Sequence, residues 1–169
     1  MRTYFLKIMK KILLILSVSI LLFACKTPSP TAQVTAKTDG KLQSGLKGNW
    51  KITSVTFPNS NYIKVNSFQI ADSKCFVGSS WQFVPNNNKG TMSINSADCQ
   101  SFSSAIVWSI NKEGTFSLKF IDSGVKSKKV TQGYLLKLAN QSESSFQLVD
   151  QVDIAGQPKE ITYQFEKVN

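Results

Sequence analysis

Residues 104–121 read SAIVWSINKEGTFSLKFI. Ile106, Trp108 and Ile110 fall on alternate positions, and Asn111-Lys112-Glu113-Gly114 supplies a turn. Phe116, Leu118 and Phe120 then alternate again, with Lys119 on the opposite face. A period of two places successive side chains on opposite faces of a strand, so this stretch predicts a β-hairpin with one apolar and one polar face. The same pattern extends outward in both directions. Trp81 and Phe83 mark a strand at 79–84, Met92 and Ile94 one at 90–94, and Tyr134, Leu136 and Leu138 one at 130–139. Phe146 and Leu148 mark 145–152, and Ile161, Tyr163 and Phe165 mark 160–168. With 48–57 and the two strands of the central hairpin (104–111 and 115–121), eight strands are predicted. Residues 66–72 are expected to form one short helix. The class is all-β, and one buried face per strand fits a closed barrel or a sandwich.

The connections fall into two groups. Residues 85–89, 111–114 and 140–144 are short, whereas 58–78, 95–103, 122–129 and 153–159 are longer. In an antiparallel up-and-down barrel alternate connections share an end, so the short turns close one end and the long loops frame the other. Cys75 and Cys99 both belong to the long-loop end.

The N-terminus has a different composition. Arg2, Lys7, Lys10 and Lys11 precede an apolar run from residue 12 to 24, a basic segment followed by a hydrophobic one too short for a typical span of about 20 residues. Its end, Leu22-Phe23-Ala24-Cys25, resembles a bacterial lipobox. That resemblance implies removal of 1–24 as a lipoprotein signal peptide and acylation of Cys25, with palmitate-type chains forming a stable membrane anchor. Residues 25–45 are then the lipidated Cys and a flexible tether, carrying Pro28, Pro30, Gly40 and Gly45 and no aromatic residue. The folded domain is expected at 46–169. With Cys25 lipidated, Cys75 and Cys99 remain as an even pair in an oxidising compartment, and a disulfide between them is expected. It closes a loop of about 25 residues and contributes roughly 3 kcal/mol on the chain-entropy model.

Charge and composition exclude several functions. The chain carries 20 Lys+Arg, 10 Asp+Glu, a formal charge of +10 and no His. Loss of the leader removes four positive charges and leaves +6. Arg2 is the only arginine, so bidentate phosphate or guanine contacts are missing from the body, and nucleic acid is rejected as a partner. Without His there is no Ser-His-Asp or Cys-His system and no HExxH zinc site. No phosphate loop or serine elbow is present. No enzyme, cofactor or metal site is expected.

Gly48-Asn49-Trp50, opening the first of eight meandering strands, resembles the Gly-x-Trp motif of the lipocalin family, and most closely the lipocalin-like domains of bacterial envelope lipoproteins. The resemblance spans 46–169. It implies an eight-stranded barrel with Trp50 plugging the closed end, small apolar ligands entering the other, and the 58–78 loop as a lid. Two departures stand out. The family's Thr-Asp-Tyr motif is absent near 130–139, and the arginine that packs across the Trp has no counterpart. Lys167 is expected to replace it through a cation–π contact.

An eight-stranded barrel is just wide enough to be filled by side chains or to hold one small ligand. The inward aromatics are therefore either core or pocket wall. Phe57, Tyr62, Trp81, Phe120 and Tyr163, nearest the long loops, are the candidate ligand-binding residues. The rim carries Lys64, Lys74, Lys126, Lys128, Lys129 and Lys159 against Asp72, Asp98, Asp122 and Asp153. This mildly favours an anionic, lipid-like headgroup or an acidic partner, and equally suits a solvated rim. The expected function is a lipoprotein, anchored through Cys25 at the periplasmic face of an outer membrane, that binds or carries a small hydrophobic molecule. The alternative is a protein-interaction module with a filled core, whose disulfide-tied loops dock an envelope partner.

Overall fold

The computed structural model describes residues 38–57, 63–154 and 156–168. Eight strands close into one antiparallel barrel: β1 (Gly48–Thr56), β4 (Ser80–Val84), β5 (Lys89–Ile94), β6 (Phe102–Ile110), β7 (Thr115–Ile121), β8 (Tyr134–Ala139), β9 (Ser145–Ile154) and β10 (Gln157–Lys167). Each pairs with its sequence neighbour, and β1 closes the ring by pairing with both β4 and β10. A small hairpin, β2 (Asn66–Ser67) and β3 (Ala71–Asp72), lies in the long β1–β4 connection. Among the described residues no helix is long and apolar enough to cross a membrane.

Alternation sets the register. On β6, Ile106, Trp108 and Ile110 are buried, and their cross-strand partners Phe120, Leu118 and Phe116 on β7 lie on the same inner face. Gly90 is required by close approach of the backbone. A Cβ there would collide with the carbonyl oxygen of Gln82, so β4 and β5 come too near for any other residue.

Four details differ from expectation. Residues 66–72 form the β2–β3 hairpin instead of a helix, with Ser73–Phe76 following as a single 3-10 turn. The strand expected from 130 begins at Tyr134, because Ser127–Lys129 form a 3-10 turn and Lys119 Nζ donates to the carbonyl of Val130 at 3.0 Å. The predicted loop 153–159 is mostly strand. Ile154 pairs with Gln157 across a tight turn, in which the Gly156 N–H donates to Asp153 Oδ1 and Gly156 adopts a φ of +79°. Pro158, the second residue of β10, pairs with Asp153 on β9.

The fourth concerns the segment read as tether. Its end folds as α1 (Gly40–Gly45), capped by Asp39 Oδ1, which accepts from the N–H groups of Lys41 and Leu42. Although α1 has little apolar surface, it is latched by side-chain amides. Gln43 Nε2 donates to the Pro85 carbonyl and to Asn88 Oδ1, and Gln141 Nε2 donates to the Leu42 carbonyl. Composition alone does not reveal these long-range bonds.

The closed end is built around Trp50. Gly48, at φ +125°, turns the chain into β1, a conformation that excludes side chains. Trp50 is 1% exposed, donates Nε1–H to the Leu46 carbonyl at 2.8 Å and meets Phe146 edge-on at 4.7 Å. Lys167 Nζ lies 5.6 Å from the Trp50 ring centroid, in the place expected for the missing arginine.

Candidate functional site at the open end of the barrel

The interior divides at about the level of Trp81. Below it, Phe83, Trp108, Phe116, Phe146 and Phe165 interlock through ring contacts of 4.4–6.3 Å, and all are essentially inaccessible. Every one of these rings is carried by a strand. This half is packed core.

Above it, the central ring comes from a loop. Phe68, in the β2–β3 turn, is 6% exposed and inserts among Phe76, Phe120, Tyr134 and Tyr163, with centroids at 5.3, 5.6, 5.2 and 5.4 Å. It fills the mouth as an external ligand would. Phe68 and its neighbour Gln69 both sit at φ +55°, the left-handed region that a bulky side chain rarely adopts. Such positions cost of order 1–3 kcal/mol each. Burying a phenyl ring returns roughly 1.5–3 kcal/mol, and a favourable aromatic pair about 0.5–1.5 kcal/mol. Strain at two residues therefore offsets part of the gain from burial and ring contacts.

Polar contacts secure the turn. The Tyr134 hydroxyl donates to the Phe68 carbonyl, and the Tyr163 hydroxyl donates to Ser67 Oγ at 2.6 Å. Ile70 N–H closes the turn onto the Ser67 carbonyl at 3.0 Å. Below, Ser79 Oγ links the Phe76 carbonyl to the Trp81 indole N–H, joining the loop to the core. The Cys75–Cys99 disulfide ties the 3-10 turn carrying Phe76 to the β5–β6 loop, with the Cα atoms 5.8 Å apart. The expected pairing is formed.

One acidic side chain faces this region. Asp150 follows Phe146 and Leu148 on the inner face of β9 and pairs in register with the fully buried Ile161. Burial raises its pKa above the usual carboxylate value, opposed by the Gln151 backbone N–H. Tyr134 and Tyr163 are raised as well, first by burial and further by the Asp150 charge; for Tyr163 the bond with Ser67 acts in the opposite direction.

Of the candidate residues, Phe120 and Tyr163 contact Phe68 directly. Trp81 lies one layer deeper, 6.4 Å from Phe120, and its indole is committed to Ser79. Phe57 is buried core just beyond β1. Tyr62, the leader and Cys25 lie outside the described residues. Sequence reasoning missed Phe68, Phe76 and Asp150 as site residues. Asp150 was legible from its even spacing with Phe146 and Leu148, whereas the left-handed pair at 68–69 has no glycine or asparagine to mark it. The rim lysines Lys64, Lys74, Lys126, Lys128 and Lys129 are exposed, and Lys159 is half-buried.

Two surface grooves lie outside the barrel. One, of about 350 Å³, runs over the outer face of β7–β9 beside the exposed Leu135, and one of about 830 Å³ flanks α1. Among the described residues no group of three or more His, Cys, Asp or Glu gathers to hold a metal.

A closed eight-stranded barrel with a Gly-x-Trp plug at one end and an aromatic mouth at the other defines a small-barrel protein of lipocalin type. The family model for the lipocalin-like domain matches residues 46–138, and the chain belongs to that family. Among solved structures, a lipocalin-like protein from Bacteroides uniformis is similar at 16% identity, over 73% of this chain and 99% of that one, with a TM-score of 0.45. The bovine odorant-binding protein, solved with a selenium-containing odorant, is similar at 17% identity, over 75% and 73%, with a TM-score of 0.45. Lobster apocrustacyanin A1 is similar at 12% identity, over 79% and 71%, with a TM-score of 0.42. No curated protein matched the sequence.

Proposed function

We propose that this protein binds a small hydrophobic molecule in the mouth of the barrel, in the space that Phe68 occupies. The observation that carries this reading is Phe68 itself: an aromatic ring on a strained loop, surrounded by four other rings at ligand-like distances. The closed half offers no equivalent, because its rings belong to strands that cannot leave without opening the barrel. Loop withdrawal exchanges one apolar occupant for another, so the cost of exposing the wall is offset by the incoming ligand. Binding and release require no covalent chemistry.

The basic-then-apolar leader and Leu22-Phe23-Ala24-Cys25 support a lipoprotein acylated on Cys25, and we place it at the periplasmic face of an outer membrane. Metabolic labelling with palmitate and membrane fractionation test this directly: Cys25→Ser should lose both label and membrane association, and retention of either contradicts the anchor.

The test of binding uses the chain from residue 26 onward, which contains the whole barrel. An apolar dye or fatty acid is titrated while tryptophan fluorescence is read. The wild-type chain should saturate weakly and Phe68→Ala about ten-fold more tightly, because removing the resident ring removes a competitor. A flat response in both, with the barrel intact by circular dichroism, contradicts ligand binding. The filled interior would then favour the second reading, an interaction module whose disulfide-tied loops dock an envelope protein.

A further inference from the structure

We propose that the preferred ligand is a small hydrophobic amine, its apolar body taking the place of Phe68 and its ammonium group facing Asp150. This rests on the ligand-binding reading above and names the ligand's chemical class.

Asp150 is the acid that the inner face of β9 turns toward the mouth, in register with Ile161 and within electrostatic reach of Tyr134 and Tyr163, the two rings flanking Phe68. Its carboxylate is only weakly compensated. The Gln151 backbone N–H is the group that favours its charge. Lys159 on neighbouring β10 is the lysine that register brings nearest, half-buried on the face of Ile161 but paired one step further along, with Val152. Residues 46–169 contain no arginine or histidine to supply another cation. A half-buried carboxylate without a counter-ion is costly, and a ligand that brings the cation offsets that cost.

The remainder of the wall is suited to the same guest. Aromatic faces attract ammonium groups, and the mouth presents Phe76, Phe120, Tyr134 and Tyr163. The two tyrosine hydroxyls donate to Phe68 O and Ser67 Oγ, and withdrawal of the turn opens access to their oxygen lone pairs, which accept ammonium N–H groups; the Tyr134 oxygen already accepts one bond, from Gln132 Nε2. An anionic ligand would meet the opposite arrangement, with Asp150 repelling it inside while the exposed rim lysines attract it only through screening solvent.

Three probes sharing one ring separate the possibilities: 2-phenylethylamine, 2-phenylethanol and 3-phenylpropionate, titrated into Phe68→Ala at neutral pH. The amine should bind about ten-fold tighter than the alcohol, and the carboxylate weakest. In Phe68→Ala/Asp150→Asn the amine should lose that advantage while the alcohol binds unchanged. If amine and alcohol bind equally with Asp150 present, amine selectivity is overturned and the mouth remains a binding site. If none of the three binds, nor any apolar dye, both proposals fall. Should Phe68→Ala not fold, NMR titration of the wild-type chain makes the same decision: the amine must shift Asp150 and Tyr134 resonances at lower concentration than the alcohol, and the reverse order overturns the proposal.

Discussion

The two halves of this barrel use the same residue types for opposite ends. In the closed half, Trp50, Phe146 and Phe165 are strand residues, and the end is sealed by α1, Gln43 and Lys167. In the open half, the central ring is carried by a turn in the left-handed region and held by two tyrosine hydroxyls. A ring on a strand can be removed only by breaking a ladder of hydrogen bonds. A ring on a turn leaves when the turn does. What distinguishes core from site here is which element carries the aromatic, since composition is alike in both.

That contrast makes ranked predictions for equilibrium unfolding in urea. Trp50→Ala should have the largest effect, destabilising by about 3–5 kcal/mol, since it empties the closed end and leaves the Leu46 carbonyl without its donor. Reduction of the disulfide, or Cys75→Ser with Cys99→Ser, should cost roughly 3 kcal/mol. Phe68→Ala should cost less, about 2 kcal/mol, because a turn can close over the vacated space where a strand cannot, although alanine keeps the positive-φ strain. Equal costs for Trp50→Ala and Phe68→Ala would erase the distinction between the halves.

The smallest effect is expected at Asp150. Its folded pKa is raised, so the folded state binds its proton more readily than the unfolded chain. Stability therefore increases as pH falls from above the folded value toward the ordinary carboxylate value. At neutral pH, Asp150→Asn should raise the melting temperature by about 1–2 °C, and the gain should vanish in acid. Thermal melts across pH 3–7 check the sign, and a fall in melting temperature at neutral pH would show that Asp150 stabilises the fold instead.

Most of the barrel was legible because an alternating pattern leaves few options. Ile106, Trp108 and Ile110 facing Phe116, Leu118 and Phe120 specify a hairpin and its register together, and Lys167 was foreseeable from the absent arginine. The cysteine pair followed from number and placement. Three features resisted. Positions 68 and 69 are Phe and Gln, not the glycine or asparagine that marks a left-handed turn, so the plug was hidden. The fold of α1 depends on amide bonds to residues 85, 88 and 141, which local sequence does not encode. The β9–β10 connection reads as a loop because Asp153, Gly156 and Pro158 are loop-forming residues, which here make a tight, side-chain-capped turn.

The central claim is that Phe68 and the ligand compete for one place. Incorporating 4-fluorophenylalanine at position 68 alone and following its fluorine NMR signal during titration with an apolar ligand tests this most directly. The signal should move from a buried to a solvent-exposed environment in step with binding. Saturable binding with the fluorine resonance unmoved would contradict the account.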